Sequence, residues 1–221
     1  MVEPNEGPPK RSRIVAAVDI TDTPRTRQRT HDADFDHVLG GGFALSSWAV
    51  LWGLAGSGKS RCALRWSTHL GRTLWVTHEM PQELVAETAR SCGAKLSNLF
   101  IAEHAQPDEL AQLARDARSN VLGFDSISEL DNDGGLELLD TVRRWVTGGP
   151  RIAIVICHET KDGDYRGPST IGHAPDYLLR TAPSSDGCAV AVKKSRFCAQ
   201  GACVCPLLIA QSSPRPKRGT K

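Results

Sequence analysis

The chain has 221 residues and a mass of 23.9 kDa, long for one compact domain and short for two full-sized ones, so a single domain with tails is expected. Its 40% hydrophobic and 24% charged residues exclude collagen-like and wholly disordered chains. A net charge of +2, from 27 Lys and Arg against 25 Asp and Glu, excludes a polycation that holds nucleic acid by bulk charge, so any such contact must be local.

Residues 1–30, rich in Pro, Arg, Thr and Asp, read as a flexible N-terminal arm, 31–210 as one α/β domain, and 211–221 as a basic disordered tail. No apolar run nears the roughly 18 residues that span a bilayer, and the N-terminus lacks the apolar stretch of a secretory signal, so a cytoplasmic chain with no membrane partner is expected. Short apolar runs at 48–52, Thr73–Thr77, 98–102, 120–124 and 152–157 alternate with helical patterns at Lys59–Leu70, 81–92, 107–118 and 135–146. That alternation is the mark of a buried, mostly parallel, twisted sheet with crossover helices. Pro81 and Pro107 suit first-turn helix positions. The last two strands, 188–193 and 202–209, have no helix between them and should form an antiparallel C-terminal edge hairpin. The seven cysteines show no C-x-x-C spacing, which speaks for reduced core thiols and against zinc.

The strongest local signal is Gly53-Leu54-Ala55-Gly56-Ser57-Gly58-Lys59-Ser60, followed by Arg61. It fits G-x-x-x-x-G-K-[ST] and lies between a predicted strand and a predicted helix, as a P-loop must. Its backbone N–H groups can turn inward around a phosphate, Lys59 can reach the β- and γ-phosphates of ATP, and Ser60 can ligate Mg2+. Asp125, ending the apolar run Val121–Phe124, is the second metal-shell candidate. Glu79, just beyond the strand Thr73–Thr77, is placed to orient an attacking water. His78 reads as a local packing residue.

These segments, taken in order, resemble the RadA/Sms branch of the RecA-like P-loop ATPases. Asp34-Phe-Asp-His-Val-Leu-Gly-Gly-Gly42, the P-loop, Leu74-Trp-Val-Thr-His-Glu79 and Phe124-Asp-Ser-Ile127 match successive motifs. Cys157-His-Glu-Thr-Lys-Asp-Gly163 resembles G-H-V-T-K-x-G, Gly167-Pro168 and His173-Ala-Pro-Asp176 follow it, and Lys193-Lys194-Ser195-Arg196-Phe197 resembles the signature K-N-R-F-G. The likeness runs over about residues 25 to 210. It implies a RecA-like fold and a hexameric ring that hydrolyses ATP between subunits, binds single-stranded or branched DNA and serves recombination and repair. On that likeness Lys59, Glu79, Lys194 and Arg196 are catalytic, the latter two acting on the nucleotide of the next subunit, and His158 is a sensor between nucleotide and DNA. The signature's Asn is Ser195 and its Gly is Cys198, so the turn there need not be the same. The segment after Asp125 lacks the family's Gln- and Ser-rich loop. The family's zinc module and protease-like domain have no counterpart, so a bare ATPase core is expected.

The loop with Lys161, Tyr165 and Arg166 combines cations and an aromatic among flexible residues, which suits a single-strand contact once the family position is considered. Cations of the arm, Arg25, Arg27 and Arg29 among them, could add phosphate contacts. Two other readings stay open: a KaiC-like regulatory ATPase acting on protein partners, and a nucleotide-dependent loading factor with negligible turnover.

Overall fold

A computed structural model describes residues 16–17, 25–160, 163 and 165–206. Lys161, the cations of the first 15 residues, and the tail from residue 207 lie outside the described residues. In chain order the elements are β1 (Arg27–Gln28), α1 (Ala33–Val38), β2 (Phe43–Ala44), β3 (Ser47–Gly53), α2 (Lys59–Leu70), β4 (Thr73–Thr77), α3 (Gln82–Ser91) and β5 (Leu99–Glu103). There follow α4 (Leu110–Asp116), β6 (Val121–Asp125), α5 (Asn132–Thr147), β7 (Ile152–His158), β8 (Tyr177–Ser184), β9 (Gly187–Ser195) and β10 (Gly201–Cys205).

Eight strands form one sheet in the order β10-β9-β8-β3-β7-β6-β4-β5, in which the six from β8 to β5 are parallel. Side-chain alternation along β3 explains the layering. Ala49 and Leu51 join a core with Trp66 of α2 and Val85 of α3, whereas Trp48, Val50 and Trp52 join a second core with Leu138 and Val142 of α5. Helix α2 leads from β3 to β4 across the intervening β7 and β6, so a crevice opens where the strand order reverses, outside the carboxyl ends of the parallel strands.

The expected mostly parallel sheet and antiparallel C-terminal edge are present, with β9 and β10 paired antiparallel. One strand escaped the sequence reading. β8, Tyr-Leu-Leu-Arg-Thr-Ala-Pro-Ser, lies parallel to β3 and antiparallel to β9, so the edge is a three-stranded meander. Its apolar run is broken by Arg180 and Pro183, but the Ser185-Asp186 turn before Gly187 carries a hairpin signal.

Smaller corrections have local causes. Pro81 is the N-cap of α3 in extended conformation, with φ −64° and ψ 154°, one step before the first turn. Pro107 likewise precedes α4, which begins at Leu110 and closes just before Arg118 at φ 49°. α5 starts three residues before the expected 135 because Asp131 caps it, accepting from the Gly134 amide at 2.7 Å. Arg27–Gln28, read as part of the arm, pair with β2. Of the seven free cysteines, Cys62, Cys92, Cys157, Cys188 and Cys205 are buried, as small apolar residues of the two cores.

Candidate nucleotide site

Four stretches converge on the carboxyl ends of β3, β4, β6 and β7. The loop 54–58 leaves β3 and enters α2 at Gly58, the helix N-cap, with φ 93°. Backbone N–H groups at that helix end are free to meet an anion, and the helix dipole favours one. Gly53 is forced by its neighbour: a Cβ there would lie 2.3 Å from Thr181 Oγ1 and 2.5 Å from the Thr181 carbonyl of β8. The same Thr181 hydroxyl meets Ser57 Oγ at 2.7 Å, so the missed strand β8 braces the loop. Leu54, Ala55 and Gly56 are exposed at the tip, Ser57 is buried, and Ser60 and Arg61 are half-buried in the first turn of α2.

Lys59 is only 5% exposed. Its ammonium donates to the carbonyls of Gly53 and Leu54, both at 2.9 Å. Burial lowers its pKa below the ordinary lysine value against the opposing fields of Asp125 and Glu79.

Asp125 ends β6 and is 1% exposed. Burial pushes its carboxyl up to about 6, with Ser60's hydrogen bond and the charges of His158 and Lys59 opposing and Glu79 adding to the rise. Ser60 is thereby tied to Asp125, while Asp125 Oδ2 is buried with no hydrogen-bond partner. A buried carboxylate oxygen left unpaired beside a hydroxyl is the oxygen-donor set that suits a divalent cation such as Mg2+. The residues fit that ion.

Glu79 follows β4 and joins His158, at the end of β7, through a 2.5 Å contact between Oε1 and Nε2. Burial works to raise the Glu79 carboxyl, but the hydrogen bond with His158 and the charges of His158 and Lys59 prevail and hold it below the usual carboxylate range. It is therefore ionised at neutral pH, able to accept a proton. His158 is fixed from behind: its amide donates to Ser128 Oγ at 2.9 Å, and its carbonyl accepts from the Arg166 amide at 2.7 Å. Ser128 Oγ in turn donates to the Arg166 carbonyl at 3.1 Å.

Sequence reasoning missed four contributors. Ser128 and Thr181 lack any motif. Glu159 is buried in an ion pair with Arg180 and donates its amide to the Gly53 carbonyl at 3.1 Å. Glu129, on the turn Ile127–Glu129, brings a carboxylate within 4.8 Å of the Glu79 and His158 donor atoms. Its only sequence signal is an acid four residues after Asp125.

Other expected residues lie elsewhere. His78 is local, as expected, with its ring tilted over Phe124 at 5.1 Å and Nε2 3.1 Å from the Ala105 carbonyl. Tyr165, expected to stack on bases, is half-buried and edge-on to Trp52 at 6.3 Å; packing on the core holds its ring, while Arg166 beside it is exposed. Arg27, expected to contact phosphate, spends its guanidinium on three backbone carbonyls of its own chain. Lys194 and Arg196 stand at the opposite edge of the sheet. Lys194 Nζ donates to the His173 carbonyl at 2.6 Å, and Arg196 Nε lies 3.6 Å from Asp176 Oδ1. Ser195 pairs with Tyr177, which pairs with Ala49, four residues before Gly53, so these cations lie roughly 13 Å back along the strands from their own P-loop.

No family model matches the chain. Its sequence is similar to the DNA repair protein RadA of Salmonella typhimurium, 28% identical over 178 residues that make up 75% of this chain and 39% of that protein. The RadA proteins of Pseudomonas aeruginosa and Mycobacterium tuberculosis are 27% identical over 188 residues and 28% identical over 210 residues, which cover 79% and 86% of the chain and 41% and 44% of those proteins. The chain thus spans about two fifths of the length of the curated relatives it matches. Sequence and sheet together give a RadA-like chain with a RecA-like α/β fold.

Proposed function

We propose that this chain is an ATP-hydrolysing core that serves DNA recombination or repair, working in the cytoplasm as a ring of like subunits, hexameric by analogy, on single-stranded or branched DNA. The observation that carries the reading is the convergence of Lys59, Ser60, Asp125 and Glu79 on one crevice beside a helix N-terminus. The N–H groups of residues 56–60 wrap the β-phosphate and Lys59 exchanges its carbonyl partners for β- and γ-oxygens. Ser60 and Asp125 would hold Mg2+, which when bound neutralises charge on the phosphate oxygens. Glu79 orients a water for in-line attack on the γ-phosphorus and accepts its proton as the bond to the ADP oxygen breaks. Arg196 and Lys194, too far from their own P-loop, act on the nucleotide of a neighbouring subunit, so hydrolysis requires docking. Arg196 lines an open cleft of about 640 Å³ at that edge with Arg25 and Arg143.

The backbone links from His158 to Arg166 support a sensor role, since a displacement of the exposed loop is passed to the partner of Glu79. The test is the ATPase rate with and without single-stranded DNA, alongside oligomer mass by light scattering. Stimulation by DNA together with a multimer is expected. A DNA-indifferent rate favours a regulator of protein partners, and nucleotide binding without turnover favours a loading factor.

A further inference from the structure

Arg196 sits on a short turn after β9, with its side chain 56% exposed and one carboxylate 3.6 Å away. A cation that must meet phosphate on another subunit needs a backbone that stays put, because small misplacements cost large factors in rate. The Arg196 amide donates to the Asp176 carbonyl at 3.1 Å, and a second hold on the turn comes from almost the other end of the chain. Arg27 extends from β1 so that its Nη1 donates to the Leu39 carbonyl at 2.6 Å and the Gly42 carbonyl at 2.9 Å, while its Nη2 donates to the Phe197 carbonyl at 2.7 Å. Phe197 is the residue after Arg196.

The partners are built for this side chain. Leu39 is the C-cap of α1, where a cation is favoured by the helix dipole and unpaired carbonyls await donors. The glycine turn after it bends around the guanidinium. At Gly42, φ is 113° and a Cβ would lie 2.3 Å from the Gln28 carbonyl, so the strand carrying Arg27 can approach this closely only because the position has no side chain. On the other side, Arg25 lies over the Phe197 ring at 4.9 Å and Tyr177 packs against that ring at 5.4 Å. Ser195 Oγ accepts from the Phe197 and Cys198 amides, both at 3.0 Å. The planar, forked guanidinium is the side chain that can satisfy three carbonyls from two distant segments at once.

We infer that Arg27 is a positioning residue for the Arg196 turn, locking it to the glycine turn so that Arg196 is presented to the neighbouring subunit. The inference rests on the proposed trans-acting role of Arg196. It predicts that Arg27 matters only in the subunit that donates Arg196, and not in the subunit whose P-loop holds the nucleotide.

The experiment mixes two inactive variants. Glu79→Gln chains retain Arg196 and act as donors; Arg196→Ala chains retain Glu79 and act as acceptors. Their mixture should regain hydrolysis. Arg27→Ala is then added to the donor or to the acceptor. Loss of regained rate by roughly ten- to a hundredfold with the donor, and a change under about twofold with the acceptor, is the expected result. Arg27→Lys, which keeps the charge but loses the fork, should give an intermediate loss in the donor and covers the case in which the alanine variant folds poorly. Equal losses on both sides overturn the inference and leave Arg27 a purely structural residue. If the unaltered mixture regains nothing, the trans role of Arg196 falls, and the inference falls with it.

Discussion

The two edges of the sheet differ in how finished they are. At the carboxyl edge, Lys59 and Asp125 are almost wholly buried, their carbonyl and hydroxyl neighbours are in place, and Glu79 is held in its ionised form by His158 and the charge of Lys59. At the opposite edge, Arg196 is more than half exposed and its nearest carboxylate is at 3.6 Å, the geometry of an ion pair that can be given up cheaply to a better partner. One edge is a preorganised site in need of a cation; the other is a cation in need of a site. Placed on the same sheet, they cannot serve each other within one chain, and the ring proposed above would bring one to the other.

Changes at the carboxyl edge should be the most damaging. Lys59→Ala is expected to lower steady-state phosphate release by roughly a thousandfold or more. Asp125→Asn should do the same to turnover while stabilising the nucleotide-free protein. The sign follows from the carboxyl's folded value of about 6 against an ordinary 3.8. The native state binds this proton more tightly than the unfolded chain, so the contribution to stability is full below the ordinary value and is lost as pH rises to about 6. At pH 7.5 an ionised, buried carboxylate remains, at a cost of up to about 3 kcal/mol that asparagine removes. A melting temperature for Asp125→Asn at or below that of the parent in magnesium-free buffer would count against this.

Arg196→Ala should follow, lowering hydrolysis by about a hundred- to a thousandfold while nucleotide affinity, measured by titration, stays within about twofold. An equal loss of affinity would erase the contrast between the edges. Arg166→Ala tests the exposed loop: DNA affinity should fall several-fold with a salt slope reduced by about one, while Tyr165→Phe, whose ring packs inward, changes it by less than about twofold. Ser195→Ala should have the smallest effect, costing about 1–2 kcal/mol in thermal stability by leaving the Phe197 and Cys198 amides without their acceptor.

The same contrast governs how much could be read from the sequence. The carboxyl edge was legible because its chemistry is written in contiguous runs: a glycine-rich loop bounded by a strand and a helix, and acids at strand ends. Five parallel strands were legible as apolar runs, and α2 and β4 to the residue. β8 was not, because Arg180 and Pro183 interrupt it and its burial comes from lying between β3 and β9. The opposite edge was legible only as a signature, and what holds it was hidden. Arg27 bonds carbonyls 12, 15 and 170 residues away, and backbone acceptors leave no trace in residue type. Ser195 and Cys198 depart from the signature's Asn and Gly; in this chain the serine hydroxyl serves as acceptor to the turn, and Cys198 has no positive φ.

The most direct test of the claim that two edges on different subunits make one site is the hydrolysis rate of Arg196→Ala chains titrated with Glu79→Gln chains. Each alone should be nearly inactive, and the mixture should recover a substantial part of the parent rate, peaking near equal proportions. A mixture that binds ATP and assembles but stays as inactive as its components would contradict that claim.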